Sequence, residues 1–191
     1  MRPTAAPSVK FTYEDFLNFP NDGKRHEIID GEHYVTPSPI TKHQRISRKL
    51  TIALGSYLEQ HAIGEVFAAP LDVVFSDLDV VEPDLVYISR ERREIVTEAH
   101  VRGAPDLVVE ILSRGTRKVD EITKRKLYER YGVREYWVVD PELDAIKIYR
   151  RTDEHTFTRV AELSAESGES LTTPLLPDFS VPLADIFAAP M

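Results

Sequence analysis

The stretch from residue 105 to 140 constrains the fold more than any other part of the chain. Two apolar runs, PDLVVEIL (105–112) and EYWVVD (135–140), flank a segment over about 117–131 whose apolar side chains recur at helical spacing and which ends at Gly132. This reads as a strand, helix, strand unit, so part of the sheet can run parallel. Other segments repeat the strand signal: EVFAA, LDVVF, PDLVYIS, AIKIYRR and TFTRVAEL are short apolar runs separated by turn residues. HEIIDGEHYV (26–35) places Asp30-Gly31 between two such runs, the strongest short-range hairpin signal. Ile46, Leu50, Ala53, Leu54, Tyr57 and Leu58 predict an amphipathic helix over roughly 42–61. Thr12 stands three residues ahead of Asp15, a cap-like start for a short helix ended by Pro20. The tail LTTPLLPDFSVPLADIF predicts an extended segment closing in a small helix. The whole pattern predicts an α/β or α+β sheet with helices packed on it: a loose arm over 1–10, then one domain over 11–191, without repeats or linker.

Composition narrows the chemistry. The chain has no cysteine, which removes disulfides, thiol nucleophiles and cysteine-bound zinc and leaves carboxylates, histidines and water as metal ligands. The N-terminus lacks an apolar signal-peptide core, and no stretch approaches the roughly 18 apolar residues of a membrane span, so a soluble, cytoplasmic protein is expected. There is no GxxxxGK, GxGxxG, GxSxG or HExxH motif, so no nucleotide cofactor, serine-hydrolase elbow or helical zinc-protease site is expected. The 24 Lys and Arg against 32 Asp and Glu give a net charge of −8, which argues against coating nucleic acid by bulk attraction. Residues 114–134 are the exception, with eight basic and three acidic side chains. Such a segment reads either as a solvated helix face laced with ion pairs or as a phosphate-binding face.

The acids placed in apolar strands carry the strongest chemical signal. Glu110 follows Leu107, Val108 and Val109 and precedes Ile111 and Leu112, a run apolar enough to be buried on both faces. A carboxylate there needs a cation or strong donors beside it. Asp84 and Asp106 open PDLVYIS and PDLVVEIL in the same way. Asp106 and Glu110 share a face but stand roughly 13 Å apart along an extended strand, too far for one ion, so Asp84 from a neighbouring strand is the better partner for Glu110. Structural ion pairs and a two-carboxylate metal site both satisfy these requirements. On the following helix, Asp120, Lys124, Leu127, Tyr128 and Tyr131 fall on one side at 100° per residue, while Glu121 and Arg125 point away. Lys124 therefore either snorkels from a packing face or reaches the strand carboxylates. Two carboxylates holding a hard divalent cation, with a lysine beside them, are the minimum equipment for phosphodiester hydrolysis.

At this point the chain resembles the Uma-two family of the PD-(D/E)XK restriction-endonuclease-like superfamily, over roughly residues 11–187. The matching pieces are HEIIDGE (26–32), TPSPITKH (36–43), VEPDLVYIS (81–89), GAPDLVVEILS (103–113), and Asp120, Lys124 and Tyr128 leading into GVREYWVVDPE (132–142). The resemblance implies a restriction-endonuclease-like mixed β-sheet flanked by helices, acting on DNA with Mg²⁺ or Mn²⁺, as a homodimer. It carries the metal acids onto Asp84 and Glu110, with Glu27 as an accessory acid. Where the superfamily motif has its lysine, two residues after the second acid, this chain has Leu112; Lys124 can supply that charge from the helix, oriented by Asp120 one turn earlier. His43 and Tyr128 are supporting candidates, His43 either contacting phosphate or bound water or serving as a capping or surface residue. Arg117, Lys118 and Arg125 are candidates for DNA-backbone contacts. The competing reading is a non-catalytic dimeric binding or regulatory module that keeps the fold.

Overall fold

Thr12 accepts a hydrogen bond from the Asp15 backbone while the Asp15 carboxylate accepts from Thr12 N–H, a reciprocal capping box that starts helix α1 (Tyr13–Phe16). In the computed structural model, which describes residues 9–189, the arm expected over 1–10 lies outside the described residues apart from Val9 and Lys10. Asp30 and Gly31 take left-handed φ angles of 52° and 73°. That geometry joins β1 (Arg25–Ile29) to β2 (Glu32–Thr36) with Ile29 opposite Glu32. A Cβ on Gly31 would meet the Lys10 side chain at 2.7 Å, so glycine answers both the backbone angle and the close approach.

Helix α2 (Thr41–His61) buries Ile46, Leu50, Leu54 and Leu58, the stripe its spacing predicts. Then come β3 (Gly64–Ala68), β4 (Val73–Ser76), β5 (Asp79–Val81) and β6 (Leu85–Ser89). After a 3₁₀ turn over Arg90–Ile95 follow β7 (Val101–Arg102) and β8 (Leu107–Ile111). A π-helical turn over Val119–Lys124 runs into α3 (Arg125–Tyr131), which stops at Gly132 in a left-handed conformation (φ 87°). The remaining strands are β9 (Glu135–Asp140), β10 (Ala145–Arg151), β11 (Phe157–Ser164) and the hairpin pair β12 (Ser170–Thr173) and β13 (Leu176–Pro182), ahead of α4 (Leu183–Phe187).

The architecture is mixed α/β, with one departure from the expected single sheet. The strands divide into a six-stranded sheet, ordered β11-β10-β9-β8-β6-β3, a five-stranded sheet, ordered β2-β1-β5-β4-β7, and the separate two-stranded β12-β13 hairpin. Apolar runs identify strands but carry no pairing information, which is why this division was not expected. β8 and β9 pair in parallel across the π turn and α3, as the strand, helix, strand pattern predicts. The π turn itself departs from the uniform helix expected over 117–131. Asp120 and Lys124, four residues apart within it, are both buried.

Each face of the six-stranded sheet has its own core. On one face Leu107, Val109 and Ile111 of β8 and Leu85 and Tyr87 of β6 meet the α2 stripe together with Leu171, Leu176, Phe179, Ile186 and Phe187 of the tail. On the other, Val108, Leu112, Val86 and Ile88 meet Leu127 and Tyr128 of the α3 segment and Ile29, Val73, Val81 and Val101 of the second sheet. Fully burying each Leu or Ile of the α2 stripe contributes about 1.5–3 kcal/mol. No helix among the described residues is long and apolar enough to cross a membrane.

Candidate active site

The two-residue period of strands decides where the acids point. Glu110 has the parity of Val108 and Leu112, and Asp84 that of Val86 and Ile88, so both belong to the face that packs against α3. Continuing the antiparallel register, in which Leu85 pairs with Val109, sets Asp84 opposite Glu110. On β1, Arg25 and Glu27 share the parity of Ile29 and reach the same place from the second sheet. The π turn then brings Lys124 in from above.

Lys124 Nζ lies 2.7 Å from Glu27 Oε1, 3.0 Å from Glu110 Oε1 and 3.6 Å from Asp120 Oδ1. The Tyr128 hydroxyl donates to the same Glu110 oxygen at 2.6 Å. Glu27 Oε1 also accepts from Glu82 N–H at 2.9 Å. Asp84 is held separately: its Oδ2 accepts from Ile111 N–H at 2.7 Å and stands 3.1 Å from His43 Nε2, while its Oδ1 accepts from both terminal nitrogens of Arg25 at 3.1 Å. Arg25 Nε pairs with Glu82 at 2.7 Å. Glu27, Asp84, Glu110, Asp120, Lys124 and His43 are all buried. Even so, Asp84, Glu110, Asp120 and Lys124 line one open cavity of about 990 Å³ whose mouth includes Pro39 and Arg114.

Burial and charge divide the protonation behaviour of the group. Burial pushes Glu110 up to about 8, with Lys124 pulling down and Asp120, Asp84 and Glu27 adding upward pressure. Burial also raises Asp120, against Lys124. Asp84 is held below its ordinary value, because the hydrogen bond and charge of His43, with Arg25 and Ile111 N–H, outweigh burial. For Lys124 burial acts downward, but Glu110, Glu27 and Asp120 raise it well above the ordinary lysine range. It is a fixed positive charge at neutral pH, unfit as a base.

The donor set suits a hard divalent cation, since every carboxylate here offers oxygen and the acids outnumber the cations among them. Each of the two strand acids has one oxygen held by the protein frame: Oδ2 of Asp84 by Ile111 N–H and His43, Oε1 of Glu110 by Lys124 and Tyr128. The second oxygens differ. Oδ1 of Asp84 is covered by Arg25, and both hydrogen bonds to Glu110 fall on Oε1, leaving Oε2 unused. Among the described residues no group of three or more His, Cys, Asp or Glu side chains is placed to hold a metal ion, so the candidate set rests on the two acids Asp84 and Glu110.

The other candidates fall in different places. Leu112 packs in the second core, and the lysine that reaches Glu110 is Lys124, at 3.0 Å. His43 Nδ1 is buried without a partner. Asp106 is a structural acid, accepting from Ser89 N–H at 2.8 Å and pairing with Arg92 and Arg134. Of the three proposed backbone-contact residues, only Arg117 lines the cavity. It is bidentate to Asp140 at 2.7 and 3.0 Å and reaches Glu142 at 3.2 Å. Arg125 stacks on the Tyr149 ring at 5.2 Å, and Lys118 is exposed. Arg25 and Glu82 are additions; the signal for Arg25 was its position two residues before Glu27, on the same strand face.

Residues 13–184 match the model of the Uma2 family, described as "Putative restriction endonuclease". Among solved structures, a "putative nuclease belonging to DUF820" from Anabaena variabilis ATCC 29413 superimposes with a TM-score of 0.77. It is 21% identical, and the match covers 93% of this chain and 97% of that one. At that identity the likeness shows a shared fold. No match is found among curated proteins.

Proposed function

Since the chain belongs to the Uma2 family, we propose that it is a divalent-metal-dependent endonuclease that hydrolyses DNA phosphodiester bonds and works as a homodimer. The observation that carries this reading is the gathering of Asp84, Glu110, Asp120 and Lys124 at the wall of one open cavity, with buried Glu27 paired to Lys124. Asp84 and Glu110 would hold Mg²⁺ or Mn²⁺ through their second oxygens. A bound cation there would polarise the phosphate and lower the pKa of a water. Lys124, fixed as a cation by three carboxylates, stabilises negative charge developing on the phosphoryl oxygens. Glu27 and Asp120 hold its ammonium beside Glu110, and Tyr128 fixes the carboxylate that faces it.

The test is cleavage of supercoiled plasmid, linear duplex and single-stranded DNA with Mg²⁺ or Mn²⁺. Wild type nicks at least one form and is silenced by EDTA, Asp84→Asn and Glu110→Gln abolish cleavage, and Lys124→Ala lowers kcat by about a hundredfold or more. A folded wild-type protein inert on all forms with both metals sinks the reading. The second reading, a dimeric binding module without catalysis, is favoured by Leu112 at the motif-lysine position; DNA binding without cleavage in the same assays selects it.

A further inference from the structure

The two strand carboxylates differ in one respect. Each is anchored by one oxygen, but the remaining oxygen of Glu110 accepts nothing, whereas that of Asp84 is covered by both Nη atoms of Arg25 at 3.1 Å. Arg25 is itself tethered elsewhere, through Nε to Glu82 at 2.7 Å. Its side chain is 17% exposed and it lines the same cavity. A guanidinium resting on the one oxygen a cation must take from Asp84 competes with that cation. Its second anchor lets it leave Asp84 without leaving the site.

We propose that Arg25 is a displaceable stand-in for the divalent cation, one that gives up Asp84 Oδ1 when the cation enters and, still tied to Glu82, turns to a phosphodiester oxygen of the substrate. The inference rests on the metal site proposed above and adds a linkage to it. Cation and phosphodiester each favour the displaced arrangement of Arg25, so each tightens the binding of the other. Without substrate, the cation binds only the minor population in which Asp84 is uncovered, and its apparent affinity is reduced by that fraction.

Calorimetry with Mn²⁺ alone tests this on the full chain. Arg25→Gln is expected to bind Mn²⁺ roughly ten- to a hundredfold more tightly than wild type, which corresponds to an uncovered state populated at about 1–10%. Arg25→Lys keeps a charge in the acidic cluster and protects against misfolding; with a single point of contact it should fall between the two. Dimethyl phosphate, as a minimal phosphodiester, should tighten Mn²⁺ binding in wild type and not in Arg25→Gln. Asp84→Asn combined with Arg25→Gln should remove the gain. In wild type, displacement should also appear in side-chain NMR as loss of the slowly rotating Arg25 Nη–H signals on adding Mg²⁺. If Arg25→Gln and Arg25→Lys bind Mn²⁺ no better than wild type, while Asp84→Asn weakens binding, the stand-in role is overturned and the metal site survives. No tightening by dimethyl phosphate in wild type overturns the linkage. If no variant binds Mn²⁺ in a way that depends on Asp84, the metal site under the proposed function fails first.

Discussion

At Glu110, burial penalises the charge that Lys124 and Tyr128 hold in place, and three further carboxylates press on it. Replacing a carboxyl that must take up a proton to be buried with a neutral group of the same shape should relieve the apo protein: Glu110→Gln is expected to raise stability at pH 7 by about 1 kcal/mol, a shift of about 2–4 °C in Tm for a chain of this size. Calorimetric scans of the two proteins without metal decide it, and a lower Tm in the variant would mean that the Lys124 pair outweighs the repulsion. The pH dependence has a definite sign. The folded-state value of Glu110 is raised to about 8 from 4.5, so within that window the folded state holds a proton that the unfolded state has lost. Wild-type stability therefore falls as pH rises through the window, and Glu110→Gln flattens the slope. Lys124→Ala acts in the opposite direction, leaving buried acids without their cation at a cost of about 3–5 kcal/mol, readable by urea unfolding at neutral pH. Glu110, Asp84 and Lys124 were legible in the sequence because a charge inside an apolar run has few affordable explanations. Arg25 and Glu82 were not, since a charged pair beside a turn and a proline reads equally well as surface.

Among the elements, those whose pattern is local emerged as expected: the Asp30-Gly31 hairpin, the α2 stripe, and the parallel pair β8 and β9. Those decided by long-range pairing did not. β5 and β7 are three and two residues long, too short for a periodic signal, and they exist through pairing with β1 and β4. The π turn was hidden because Asp120 and Lys124 within it keep the i, i+4 spacing of an ordinary α-helix. The Arg117–Asp140 bridge ties the segment before that turn to the end of β9. Asp140 also accepts from Glu142 N–H at 2.9 Å and Leu143 N–H at 3.3 Å. Asp140 is held below its ordinary value: burial acts upward, and the hydrogen bond from Arg117 leads the opposing effects. Its stabilisation is present above the ordinary carboxyl range and disappears as pH falls through the lowered folded value. Asp140→Asn should lose about 1–2 kcal/mol at pH 7 and almost nothing near pH 2. Equal losses at both pH values would assign the effect to packing.

For the molecule as a whole, the basic segment left open an ion-paired helix face or a phosphate-binding face, and folding commits most of its charge to ion pairs. Arg117 pairs with Asp140 and Glu142, Arg130 with Asp30 and Asp79, Arg134 with Asp106, and Lys124 lies inside the acid cluster. Around the cavity mouth the same holds: Arg114 meets Glu142, Lys42 meets Asp144 and Lys24 meets Asp22. A protein of net charge −8 with its cations so engaged has little to offer a duplex by bulk attraction, so under the proposed function DNA binding is expected to come from a few phosphates entering the cavity and exchanging for carboxylate partners. The salt dependence reads that number directly. In Ca²⁺, used to support binding without turnover, log K against log salt should have a slope of about −2 to −3, as for two or three phosphates, where a full basic face would give −6 or steeper. Arg117→Ala, at the cavity wall, should flatten the slope by about one unit, because a contact to one phosphate is lost. Arg125→Ala, whose guanidinium rests on Tyr149, should leave the slope unchanged. A steep slope that Arg125 and Lys118 both reduce would place the DNA along the outer helix face and move the substrate away from the cavity that gathers Asp84 and Glu110.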